Sequence, residues 1–89
     1  MKTIAVIGYP SLREFKEDCL RALGEETSSP NIFVCGDKTY IGIFRYSDIV
    51  GRHFDDYIEY KPFDIRLVIE TSGYRFLRDE VKRRCYEKN

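Results

Sequence analysis

The densest group of chemically active side chains lies between residues 47 and 55, where an arginine, the single histidine and two carboxylates surround a glycine. Arg52 could bind a phosphate or a carboxylate with its planar fork, and His53 could carry a proton near neutral pH. A solvated loop, in which Asp48 and Asp55 pair with Arg52, is the simpler interpretation. Because loops often carry function, Arg52 and His53 remain candidate ligand-binding residues.

A second candidate site is the turn at residues 8–11, which joins the first predicted strand to the first predicted helix. Many α/β proteins bind phosphate on free backbone N–H groups at such a turn. The turn has one glycine where a dinucleotide fingerprint has three, and it has no P-loop lysine. Gly8, Tyr9 and Ser11 therefore form an anion-binding hypothesis, and a plain strand-to-helix turn is the alternative.

Catalytic and metal chemistry find weaker support in the sequence. Cys35 and His53 could combine in covalent catalysis, but no neighbouring residue orients either one. The acidic residues Asp55, Asp56 and Glu59 could hold a hard cation, although a solvated acidic strand face is the simpler interpretation. We therefore predict a protein that is not an enzyme, with no catalytic residue, no metal site and no cofactor.

Arginine and tyrosine could serve in recognition. The final helix offers four candidate contacts for nucleic acid or a protein partner: Arg75, Arg78, Lys82 and Arg84. Tyr57 is a fifth candidate and would add an aromatic ring. Four tyrosines on or near two predicted strands could share a sheet face and stack bases or anchor a partner: Tyr40, Tyr46, Tyr57 and Tyr60. With 15 basic and 15 acidic side chains, the chain has no overall charge to attract a polyanion.

The elements that position these residues begin with a strand over residues 2–9, whose apolar run Ile4–Ile7 is typical of a strand buried on both faces. Ser11 and Glu14 have the spacing of a capping box, so a helix begins there. Its apolar stripe runs from Leu12 to Leu23. Residues 32–35 and 39–45 predict an antiparallel hairpin, and the first strand, helix and second strand have the length of a parallel crossover.

Later in the chain, residues 54–61 predict another strand with Ile58 and Tyr60 turned inward. Residues 63–70 favour a strand, with a short helix as the alternative. A helix after Ser72 places Leu77 and Val81 on its apolar face.

These elements predict a single α/β domain over residues 1–89 with two helices and a mixed sheet of four or five strands. The expected order is β-α-β-β-β-(β)-α, with the first strand inside the sheet. A chain of this length has room for one modest core.

Strand, helix and strand followed by Gly51-Arg52 and Phe54-Asp55 resemble the later part of a RecA-like helicase or ATPase core. The pattern is also similar to small, divergent α/β proteins of bacteriophages. The resemblance implies a degenerate nucleotide-binding fold that has become a binding module. ATP hydrolysis is not implied, because the first turn has no Walker lysine.

Three widely spaced cysteines suit free thiols in a reducing compartment, and no apolar stretch is long enough to span a membrane. We therefore predict a cytoplasmic protein, in the host cytoplasm if it is viral. The leading functional hypothesis is a non-enzymatic accessory protein that binds a larger protein. The alternatives are binding of nucleotides or phosphorylated ligands at residues 8–11 with Arg52, and nucleic-acid binding through the last helix. The oligomeric state is open, a homodimer included.

Overall fold

The computed structural model describes residues 2–23, 27, 29–60 and 72–85. These residues form two helices and one four-stranded mixed sheet, which confirms the predicted α/β fold class. The elements are β1 (Lys2–Ile7), α1 (Leu12–Leu23), β2 (Ile32–Cys35), β3 (Lys38–Gly42), a short 3-10 helix (Tyr46–Asp48), β4 (Asp56–Glu59) and α2 (Ser72–Arg83). The predicted strand at 63–70 lies outside the described residues.

Strand β1 occupies an interior position in the sheet, as its continuous apolar run predicts. The strand order is β2-β3-β1-β4, and β1 is parallel to both of its neighbours. Residues Ile4 to Ile7 are at most 7% exposed, so both faces of the strand are covered. A strand buried on two faces needs a covering layer on each side of the sheet.

The predicted direction of β2 is wrong. We expected β1, α1 and β2 to form a parallel crossover, but β2 lies at the sheet edge and runs antiparallel to β3. The parallel partner of β1 is β3. The tight turn at Gly36, with a φ of 64°, joins β2 and β3 in a hairpin, so the two strands run in opposite directions. Strand β3 is followed by the buried Ile43 and contains the buried Ile41, so it suits the inner position better than β2 does.

Helix α1 covers one face of the sheet and begins at its predicted cap. The Glu14 backbone N–H donates to the Ser11 hydroxyl oxygen at 3.2 Å, which satisfies one free donor of the first turn. At the end of the first turn, Phe15 is fully buried and packs with Val6 and Phe33. Leu12, at the start of the predicted apolar stripe, is 36% exposed.

Helix α2 covers the other face and completes the larger core cluster. Its Val81 is fully buried, and Leu77 packs against the same cluster as predicted. The end of the helix also joins the segment that precedes β4, because the Phe54 backbone N–H donates to the Arg84 carbonyl oxygen at 2.9 Å. The buried members of this cluster are Ala5, Ile7, Ile41, Ile43, Ile49, Phe54 and Val81.

The connection between β3 and β4 is shaped by Asp48. Its carboxylate accepts hydrogen bonds from the backbone N–H groups of Phe44 at 2.8 Å and Arg45 at 3.1 Å. These bonds favour a 3-10 turn over extended backbone, so the strand predicted to reach Arg45 ends at Gly42.

The predicted pairing of Asp48 and Asp55 with Arg52 is also wrong. The Asp48 carboxylate binds backbone amides, and the Asp55 carboxylate accepts from the Thr3 backbone N–H at 2.7 Å. Both carboxylates therefore fix the ends of loops, where backbone donors would otherwise lack partners.

Gly8 ends β1 in a conformation that other residues rarely adopt, with a φ of 97° and its Cα against the Tyr60 carbonyl. In Gly8→Ala the new Cβ would stand 2.4 Å from the Tyr60 carbonyl oxygen. We expect the free energy of unfolding to fall by about 2 kcal/mol or more in urea denaturation.

The matched control is Gly36→Ala, since Gly36 also has a positive φ but no atom lies within 4 Å of the added Cβ. Gly36→Ala should lower the free energy of unfolding by about 1 kcal/mol. Equal losses for the two variants would show that the Tyr60 carbonyl does not constrain Gly8.

Candidate ligand-binding groove

The two predicted ligand-binding segments lie at opposite ends of β1. Gly8 to Ser11 follow its carboxyl end, whereas the Asp55 backbone N–H donates to the Thr3 carbonyl oxygen at its amino end. Arg52 and His53 come directly before Asp55. A six-residue strand separates its ends by about 17 Å, so the structure does not bring Arg52 and His53 to the turn at 8–11.

Within the turn at 8–11, each candidate side chain has a partner in the same chain. The Ser11 hydroxyl oxygen caps α1, and the Tyr9 hydroxyl donates to Asp18 Oδ2 at 2.8 Å. A carboxylate beside the turn would repel a phosphate. Anion binding by Gly8, Tyr9 and Ser11 stays a prediction, and the position of Asp18 does not favour it.

The structure also separates Cys35 from His53. Cys35 ends β2 and His53 lies just before β4, and these are the two outer strands of the described sheet. Three strand spacings amount to about 14 Å, far beyond hydrogen-bond reach. Among the residues that the structure describes, no group of three His, Cys, Asp or Glu side chains could hold a metal ion.

The basic residues of α2 are mostly engaged within the chain. Arg84 donates to the Ile49 carbonyl oxygen at 2.9 Å and lies 3.6 Å from the Glu80 carboxylate. Lys82 stands 5.8 Å above the centre of the Tyr57 ring. Arg78 pairs with Asp79 and Arg83 pairs with Glu80, while Arg75 is exposed. Nucleic-acid contact through this helix stays a prediction.

The four tyrosines do not share one sheet face. Tyr40 packs on the α1 side of the sheet and Tyr57 on the α2 side. Tyr46 belongs to the 3-10 helix, outside the sheet. Successive strand residues point to opposite faces, so Tyr57 and Tyr60, three positions apart, cannot point the same way along a regular strand.

Four aromatic rings instead line a groove of about 310 Å³ beside α1: Tyr9, Phe15, Tyr40 and Tyr60. Val6 and Ile58, which are opposite each other on β1 and β4, add aliphatic surface. Ile58 was predicted to turn inward, but it is 47% exposed. Helix α1 packs toward β2, so neither of the two described helices covers the β4 end of this face.

The aromatic wall of the groove is held in a fixed arrangement. The Tyr9 and Tyr60 rings stack with centroids 4.0 Å apart and an interplanar angle of 10°. Phe15 meets the Tyr9 ring edge-on at 5.3 Å. The edge-on contact has a favourable geometry for an aromatic pair, and because each ring packs against another ring, the wall is preorganised before any ligand arrives.

The groove disfavours negative charge. Burial raises the pKa of the Cys19 thiol to about 11, and the charge of Asp18 adds to the effect. Burial also raises the pKa of the Tyr9 hydroxyl well above its usual range, with further contributions from its hydrogen bond to Asp18 and from that carboxylate's charge. Both groups are therefore neutral at physiological pH.

The residue that the sequence reasoning missed is Asp18. It follows Phe15 by three positions on α1, so its side chain lies beside the apolar stripe and reaches the groove wall. A carboxylate at this spacing from a buried aromatic residue is a signal that the sequence does contain.

Comparison with protein-family models, with curated proteins and with solved structures finds no match to this chain. The resemblance to a RecA-like core therefore stays a prediction. In the described part of the chain, no helix is long and apolar enough to cross a membrane.

The environment of Cys19 predicts low thiol reactivity. At pH 8, a thiol with a pKa of about 11 is ionised in roughly one molecule in a thousand. We expect iodoacetamide to modify the exposed Cys35 at least about tenfold faster than Cys19. The two thiols are compared in C35S/C85S and C19S/C85S proteins by mass spectrometry. Equal rates would contradict a partly buried, protonated Cys19.

The contacts of Arg84 predict a structural role. Arg84→Ala removes the donor to the Ile49 carbonyl and leaves the half-buried Glu80 with one cation fewer. We expect a loss of about 1 to 3 kcal/mol in the free energy of unfolding. The exposed Arg75→Ala should change it by less than about 0.5 kcal/mol. Similar values for the two variants would mean that Arg84 does not tie α2 to the loop.

Proposed function

We propose that this chain is a small, non-enzymatic interaction protein whose groove beside α1 binds a segment of a larger partner protein. The observation that carries the proposal is the open, preorganised groove lined by four aromatic rings. Aromatic side chains dominate the energetics of protein interfaces, because they bury a large area with few rotatable bonds.

The size of the groove supports this function. Its volume of about 310 Å³ stands at the lower end of ligand sites, which span about 300 to 1,000 Å³. One or two side chains of a bound segment would fill it. The exposed Ile58 at its margin would lose its contact with water when the segment binds.

The charge of the groove favours a polypeptide over a nucleotide. The Asp18 carboxylate belongs to the groove lining, and Asp56 is exposed two residues before Ile58 on the same face of β4. A nucleotide base could stack on the rings, but its phosphates would meet these carboxylates. A protein segment carries no such obligatory negative charge.

The cytoplasm, of a host cell if the protein is viral, is the setting that we propose for this interaction. Cys19, Cys35 and Cys85 are all free thiols. Free thiols persist in reducing compartments, and the exposed Cys35 in particular would be prone to oxidation elsewhere.

The test is selection of short peptides from a random library on the immobilised protein, followed by affinity measurement with two variants. Ile58→Ser removes apolar surface from the groove. Val34→Ser is the control: it removes apolar surface from β2, the other outer strand of the described sheet, at a side chain that is similarly exposed. We expect Ile58→Ser to weaken the binding of the selected peptides about tenfold and Val34→Ser to leave their affinity unchanged.

Selected peptides that bind Ile58→Ser as tightly as the unaltered protein would show that the groove is not the binding surface. Failure to select any peptide would also contradict the proposal. Circular dichroism spectra of both variants establish that the fold is retained.

A further inference from the structure

Asp18 is the one charged side chain among the described residues that line the groove. Its Oδ2 accepts the Tyr9 hydroxyl at 2.8 Å, and its Oδ1 lies 3.0 Å from Arg21 Nη1. The carboxylate is 38% exposed, so a ligand in the groove can reach it. An apolar ligand would give this charge no partner beyond Tyr9 and Arg21.

We propose that the groove binds the side chain of a lysine on the partner segment, with the methylene stem along the aromatic rings and the ammonium at Asp18. This inference rests on the proposed function and names the chemistry that the groove selects. Lysine has an apolar stem and a charged end, which matches an aromatic wall that ends in a carboxylate.

The aromatic rings and the carboxylate both favour a cation. The face of a tyrosine or phenylalanine ring carries partial negative charge and attracts an ammonium group that lies over it. Burial is the main cause of the raised pKa values of Tyr9 and Cys19, and the charge of Asp18 adds to both shifts. The Asp18 carboxylate is therefore the negative charge that an ammonium in the groove would meet.

In the structure, a cation of the chain itself occupies the position at Asp18 that we propose for the ammonium. The Arg21 guanidinium pairs with Asp18, but its side chain is 74% exposed. Exposed pairs of this kind contribute little to stability, so an incoming cation can replace Arg21 at small cost. A carboxylate has about four acceptor positions, and its bond with Tyr9 can persist during the exchange.

The geometry at Asp18 favours lysine over arginine. An arginine fork binds a carboxylate best through both oxygens at once. Oδ2 is engaged by the Tyr9 hydroxyl and Oδ1 by the exposed Arg21, so displacement of Arg21 makes one oxygen, Oδ1, available to the ligand. A lysine ammonium is a compact charge that needs only one oxygen.

The test begins with small probes that represent the end of each side chain. The full chain is titrated with n-butylammonium, n-butylguanidinium and the neutral 1-butanol, and amide shifts are followed by NMR. We expect n-butylammonium to bind most tightly, with the largest shifts at Tyr9, Asp18 and Tyr60.

Three variants then isolate the role of Asp18. Asp18→Asn should weaken n-butylammonium binding roughly tenfold or more, because it removes the charged acceptor. Arg21→Ala should strengthen binding about two- to fivefold, because it removes the competing cation. Glu17→Gln is the control: it removes a carboxylate from the same helix that pairs with Arg13 and does not line the groove.

The inference is wrong if 1-butanol binds as tightly as n-butylammonium, or if Arg21→Ala does not strengthen binding. Arg21→Ala decides the outcome alone if Asp18→Asn fails to fold. In either case the proposed function stands as long as the binding of the selected peptides still depends on Ile58. Loss of that dependence, with cation binding at Asp18 intact, would instead overturn the proposed function.

Discussion

Hydrogen bonding of β1 to a parallel strand on each side is the constraint on which the rest of the structure depends. Parallel neighbours cannot be joined by a tight turn, so the chain must cross from one end of the sheet to the other between them. Helix α1 lies in the connection between β1 and β3. The 3-10 helix and its loop lie in the connection between β3 and β4. Each crossing brings apolar residues onto a face of β1.

The cover on the two faces is unequal, and the groove is a result of this inequality. On the α2 side, the helix and Ile49 of the crossover loop both contribute to a core of seven buried residues. On the α1 side, α1 is the one helix among the described elements that packs on this face, and the buried cluster of described residues has three members. Aromatic side chains line the part that α1 does not cover, where they contact one another and solvent.

Local patterns in the sequence were enough to predict the two helices, the four strands of the described sheet and the interior position of β1, but not the direction of β2. The apolar run Ile4–Ile7 predicted an interior strand, and Ser11 predicted the start of α1, because each depends on neighbouring residues alone. The direction of β2 and the exposure of Ile58 depend on contacts between distant segments. No local periodicity contains that information.

The candidate site shows the same limit. Tyr9 and Tyr60 were both noticed in the sequence, one in a turn and the other on a strand, but their stacking required the register between β1 and β4. The role of Asp18 depends on which part of the sheet face α1 covers, and packing decides that coverage.

The bond between Phe54 and Arg84 has a consequence for the order of folding. Strands β1 to β3 and α1 can make their contacts as soon as residue 42 has been synthesised, since all of their residues lie at or before that position. The larger core cannot close until Val81 has emerged, because it joins residues 76 positions apart, Ala5 and Val81. Growing chains would therefore expose Ile41, Ile43 and Phe54 from the time each is synthesised until Val81 is added. Such surfaces are the kind that chaperones bind.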